Sequence, residues 1–140
     1  MIFKHYKIQK IKININNILL FYGKNQGYKE SEILKLIKSN KDRSTLKYDE
    51  KEIINNPEII YNDVLSNSLF ENKKILIIKR ASDKLFNIIN DLLGRKIEDI
   101  LLIIDSENLE KKSKLRSLFE KDKKLICIPF YEDDSNTISK

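Results

Sequence analysis

Three places in this 140-residue sequence gather residue types that could do chemistry. The first is Gly23-Lys24-Asn25-Gln26-Gly27-Tyr28-Lys29-Glu30. A phosphate-binding loop, G-x-x-x-x-G-K-[ST], cradles phosphates on backbone amides and places its hydroxyl on magnesium. Here Gly27 comes one position early, no lysine follows it directly, and Glu30 stands where the hydroxyl is needed. A carboxylate there repels phosphate, so the loop reads as degenerate and no nucleotide cofactor is expected. The second place is Lys79-Arg80-Ala81-Ser82, behind an apolar run. An ATPase of this kind needs acids at that point to hold magnesium and activate water, and two cations cannot ligate a metal. The third is Asp105 with Glu107. Paired carboxylates can serve acid–base or metal chemistry, but these have no histidine partner and no second cluster. Asp105, Ser106 or Asn108 is expected to cap the next helix instead.

Other reactive groups add little. Cys127 sits inside Leu125-Ile126-Cys127-Ile128 and is expected to be a small buried hydrophobe, while His5 lies among lysines as a surface residue. A phosphoacceptor receiver domain would need clustered acids after the first strand, and Phe21-Tyr22-Gly23 supplies none. Neither catalysis nor a metal is therefore expected. What remains is a contact. In Asn67-Ser68-Leu69-Phe70-Glu71-Asn72, two large apolar residues stand between polar neighbours. Either Leu69 and Phe70 fold back onto the core as an anchor, or they project and meet a partner, as exposed paired apolar residues do.

The elements that must position these residues alternate in type. Apolar runs at 18–22, 44–48, 74–79, 99–105 and 124–129 read as strands, four of them continuous enough to be buried on both faces. Between them the apolar period becomes helical. Ile33, Leu36 and Ile37 form one stripe, and Ile53, Ile59, Ile60 and Val64 a second. Leu85, Ile88, Ile89 and Leu92 form a third, and Leu115, Leu118 and Phe119 a fourth. Ser82 and Asp83 are expected N-caps, and Gly94 is expected just past the third helix. Strands alternating with helices imply crossover units. The fold class expected is α/β, three-layer and doubly wound, on a mainly parallel five-stranded sheet. Residues 1–130 would be one domain, and 131–140, which hold Glu132-Asp133-Asp134-Ser135-Asn136, a linker toward further domains.

Composition narrows the classes. The chain carries 27 Lys+Arg against 21 Asp+Glu, for a net charge of +6. Five lysines (Lys4, Lys7, Lys10, Lys12, Lys24) fall in residues 1–27, where there is no acid, and the remainder is nearly balanced. A dedicated nucleic-acid binder concentrates cations on a whole face, so a basic nucleic-acid-binding module is the second reading and not the first. One cysteine excludes a disulfide framework and suits a reducing compartment. No apolar stretch approaches the ~20 residues that span a bilayer, so a cytoplasmic protein without a membrane partner is expected.

Taken in order, these segments resemble a family. They are the strand into Phe21-Tyr22-Gly23 with its degenerate loop and glutamate-containing helix, and the helix leading to Ser68-Leu69-Phe70. Lys73-Lys74-Ile75-Leu76-Ile77-Ile78 follows at once, then Asp99-Ile100-Leu101-Leu102-Ile103-Ile104 and Leu109-Glu110-Lys111-Lys112-Ser113-Lys114-Leu115. The set is similar to the N-terminal AAA+-like domain of the delta subunit of bacterial DNA polymerase III, part of the clamp loader. The resemblance implies an AAA+/RecA-like sheet and a subunit that neither binds nor hydrolyses ATP within a DNA-directed DNA polymerase assembly at the replisome. It implies that Leu69 and Phe70, preceded by Ser68, insert into a pocket on the ring-shaped sliding clamp, the beta subunit, and help open it. It also implies other clamp-loader subunits as partners through further domains, with DNA met indirectly. Clamp-binding peptides often begin with Gln; here the upstream positions are Leu65, Ser66 and Asn67.

Overall fold

Runs rich in isoleucine and leucine extend readily when both faces of the strand can be packed. The computed structural model describes residues 18–65, 74–95, 100–121 and 125–130. In it the five runs are β1 (Ile18–Tyr22), β2 (Ser44–Asp49), β3 (Lys74–Ala81), β4 (Ile100–Ser106) and β5 (Ile126–Pro129). The helices are α1 (Gln26–Ser39), α2 (Glu50–Asn55), α3 (Glu58–Leu65), α4 (Phe86–Leu93) and α5 (Lys114–Lys121). The strands pair in the order β2-β3-β4-β1-β5, and every pairing is parallel. This is the three-layer, five-stranded α/β architecture expected from the alternating periods.

Alternation along each strand divides the core between the two faces. Leu19, Phe21, Ile75, Ile77, Leu101, Ile103, Ile126 and Ile128 face one way and pack with Ile33 of α1. Ile18, Leu20, Tyr22, Leu76, Ile78, Leu102 and Ile104 face the other, with Ile53, Ile60, Val64, Ile89, Leu92, Leu115 and Phe119 from the other four helices. Because α1 and α5 lie on opposite faces, the chain leaves adjacent strands β1 and β4 in opposite directions. That divergence opens a crevice at the carboxyl ends of the strands, the usual ligand position in such sheets.

Three expectations about element ends need correction. The second helical stripe is two helices, because Pro57 has no N–H to donate and disfavours helical backbone at Asn56; Asn56 instead closes α2 by donating to the Glu52 carbonyl. Gly94 is the C-cap of α4, but with φ −79° it uses no left-handed conformation. Asp105 and Ser106 do not cap α5. Both lie within β4, and both are buried.

One glycine is obligatory. Gly23 ends β1 with φ +123°, and a Cβ there would lie 1.9 Å from the Phe130 carbonyl oxygen. Gly23→Ala is expected to destabilise by about 2–3 kcal/mol or more from strain alone, read as a lowered urea midpoint. Among the described helices none is long and apolar enough to cross a membrane.

Candidate functional site

The crevice is a cleft of about 640 Å³. Gly23, Lys24, Gln26 and Glu30 line it from the segment after β1, Asp105, Glu107 and Asn108 from β4 and beyond, and Lys79 and Arg80 from β3. Its walls therefore mix cations and carboxylates.

A phosphate loop must aim its amides at the ligand. Here several are committed to the protein. Gly23 N donates to the Glu107 carbonyl at 2.6 Å and Asn25 N to the Phe130 carbonyl at 3.2 Å. Gln26 N donates to Lys24 O and Lys29 N to Asn25 O, while the Tyr28 amide is taken by the Asn25 side chain, which caps α1. The first two bonds stitch the ends of β1, β4 and β5 together. Gly27 meets nothing within 4 Å of a built Cβ, so it serves no close approach.

Lys29 belongs to the degenerate loop read from the sequence, but its partner was not legible there. It is fully buried, its Nζ lies 3.1 Å from an Asp105 carboxylate oxygen, and it donates to the Ser106 carbonyl at 2.5 Å. Counted from Gly23, the count that puts Glu30 at the hydroxyl position, Lys29 occupies the lysine position of the phosphate-loop pattern. Its ammonium points into β4 and pairs with the one carboxylate of the Asp105/Glu107 couple that is buried. Asp105 is thus a counter-ion, not a helix cap. Ser106 hydroxyl donates to the Ala81 carbonyl at 2.5 Å, which ties β4 to the end of β3.

Arg80 is engaged as well. A register shift between Ile78 and Ala81 accompanies Arg80 at φ +56°, a left-handed conformation that turns its guanidinium back to Asp49 at the end of β2. Asp49 caps α2 at the same time, and hydrogen bonds from the Lys51 amide first and Arg80 second hold its carboxyl below the usual range. Glu50 accepts from both the amide and the hydroxyl of Ser82. Among the described residues no cluster of three or more histidine, cysteine or acidic side chains could hold a metal ion.

Asp83 does what was expected of a cap, though for a different helix. Its carboxylate accepts from Ser113 Oγ and from the amides of Lys114 and Leu115, the first turn of α5. Burial pushes the Asp83 carboxyl up, but these three donors outweigh it and the net direction is down. A carboxyl depressed in the folded state stabilises above its unfolded value of 3.8, and that contribution is lost as pH falls through and below it. Asp83→Ala is expected to cost about 1 kcal/mol at neutral pH. The gap to the parent should close in acid, as urea melts at the two pH values would show. Cys127 is buried, and desolvation followed by the Glu120 charge lifts its thiol to about 12, so it is unreactive at neutral pH.

Ser68, Leu69 and Phe70 lie outside the described residues, as do the lysines of residues 1–17 and the 131–140 segment. The structure does show what flanks the first of these. The chain enters 66–73 from the last turn of α3 and leaves it as β3, beside the edge strand β2.

Comparison with known proteins bears on the whole of this framework. The family model described as DNA polymerase III, delta subunit matches residues 19–128. Among solved structures, the Bacillus subtilis DNA clamp loader delta protein superposes with a TM-score of 0.67 at 11% identity. The match covers 94% of this chain and 42% of that one, so the chain spans less than half the length of its structural neighbour. The search of curated proteins finds no match.

Proposed function

The chain belongs to the DNA polymerase III delta subunit family, and from that premise we propose that it is a non-catalytic clamp-contacting domain. Its partner is the sliding clamp, and the contact is made by Ser68, Leu69 and Phe70. The observation that carries this reading is the family match itself, whose 19–128 span includes those three residues. The cleft supports it from the other side. Loop amides donate to the protein's own carbonyls, and the lysine at the phosphate-loop position is spent on Asp105.

The mechanism is differential binding. A ligand shifts an equilibrium only by its unequal affinity for the two states. Leu69 and Phe70 must therefore fit the clamp better when one ring interface is relaxed than when the ring is closed. Burying two such side chains is worth roughly 3–6 kcal/mol before ordering costs. That suffices to bias an interface. Other clamp-loader subunits would be met through domains beyond this one, and DNA only within the assembly.

Immobilised sliding clamp from the same host tests the proposal directly. Saturable binding of this chain is expected, largely insensitive to salt, because an apolar contact releases few counterions. Binding to duplex DNA but not to clamp would overturn it in favour of the nucleic-acid reading. Calorimetric titration with magnesium-ATP is expected to give no binding heat, and micromolar affinity would remove the non-catalytic part.

A further inference from the structure

Helix α3, from which the chain runs into the clamp segment, is gripped on both flanks. It has eight residues, too few to be stable alone in water. Ile60 and Val64 bury its inner face. At 100° per residue, Tyr61 and Asp63 fall about 80° to either side of that inner face. On one flank, the Tyr48 hydroxyl of β2 donates to the Asp63 carboxylate. On the other, the Tyr61 hydroxyl meets the Asp91 carboxylate of α4. Arg95 closes that side, 3.3 Å from Asp91 and with its guanidinium carbon 5.4 Å from the Tyr61 ring centre.

Burial of Ile60 and Val64 sets how deep α3 sits, but apolar packing tolerates some roll about the helix axis. Two directional bonds on opposite flanks do not. We infer that Tyr48–Asp63 and Tyr61–Asp91–Arg95 are positioning residues for the clamp contact, fixing the roll of α3 and with it the direction in which the chain enters 66–73. The inference rests on the proposed clamp contact through Leu69 and Phe70. It adds that a wedge needs a rigid mount: a loosened α3 must itself be fixed on binding, which lowers affinity without removing any contact.

The test compares clamp binding of the parent chain, Tyr48→Phe, Tyr61→Phe, Asp63→Asn, Asp63→Ala and Leu69→Ala/Phe70→Ala. A synthetic peptide of residues 66–73 serves as the unmounted reference, and each chain is melted in parallel. Tyr48→Phe and Asp63→Ala are expected to bind about tenfold more weakly, the size of one hydrogen bond to a charged group, and so to approach the free peptide. Asp63→Asn keeps a neutral, weaker acceptor for Tyr48 and is expected to fall between the parent and Asp63→Ala, while a role in bulk stability alone would lower the melting temperature and leave the affinity of the folded chain unchanged. Should Asp63→Ala fail to fold, Tyr48→Phe and Tyr61→Phe decide the matter. Parent-like binding by both, with Leu69→Ala/Phe70→Ala inactive, overturns the mount and leaves the wedge standing. Equal losses in Asp63→Asn and Asp63→Ala also overturn it. Parent-like binding by Leu69→Ala/Phe70→Ala instead removes the proposed clamp contact, and the mount with it.

Discussion

Replacing Leu69 and Phe70 together by alanine is expected to abolish clamp binding while leaving the melting temperature nearly unchanged. The size of the loss follows from area. At about 1.5–3 kcal/mol for each buried side chain, the pair is worth roughly two to four decades in affinity. The neighbours Ser66, Asn67, Ser68, Glu71 and Asn72 are all polar, so the sequence offers little local apolar surface to receive the pair. A partner pocket would supply it. The rival arrangement makes the opposite forecast. Were Phe70 part of the core, Phe70→Ala alone would cost about 3–5 kcal/mol of stability. Clamp affinity and a thermal melt on the same variant therefore separate the two, and a large loss of stability with affinity intact would refute the wedge.

The largest effect on stability is expected at Lys29. Lys29→Met leaves Asp105 charged and buried beside the Ser106 carbonyl with its main donor gone. Removing one partner of a buried pair costs about 3–5 kcal/mol, a large share of the 5–15 kcal/mol typical of a domain. Replacing both partners with apolar side chains of similar volume is often neutral or better. Lys29→Met/Asp105→Leu should thus recover most of what the single change loses. Urea unfolding followed by circular dichroism reads both. A cleft lysine kept for a ligand would give the reverse pattern, with Lys29→Met harmless in the free protein, and that outcome would show that the ion pair is not what holds α1 to β4.

Periodicity alone located the framework. Continuous apolar runs and 3.6-residue stripes are local signals, and each of the five runs became a strand with ends shifted by no more than two residues. The break between α2 and α3 was equally local. Pro57 announces it, yet the shared stripe of Ile53, Ile60 and Val64 conceals it, since both helices bury the same face against one core. The resemblance to delta subunits was also carried in sequence order, by the Ser68-Leu69-Phe70 segment leading into a lysine-led strand.

The polar interior was another matter. Lys29 and Asp105 are 76 positions apart, Tyr48 and Asp63 stand on different elements, and Asp83 caps a helix that begins 31 residues later. Taken locally, each residue admits a bland solution: an exposed lysine, a cap for its own helix, a solvated tyrosine. Only the order β2-β3-β4-β1-β5 brings α1 over the end of β4 and the β3 turn onto α5. An ion pair or a cap in trans depends on a few ångströms between distant segments, and no local period encodes that distance. The sequence by itself determined which segments are strands and helices and which face of each is apolar, because those follow from backbone sterics and water. Which charges meet, and so whether Lys29 serves a ligand or the fold, was decided by the tertiary structure.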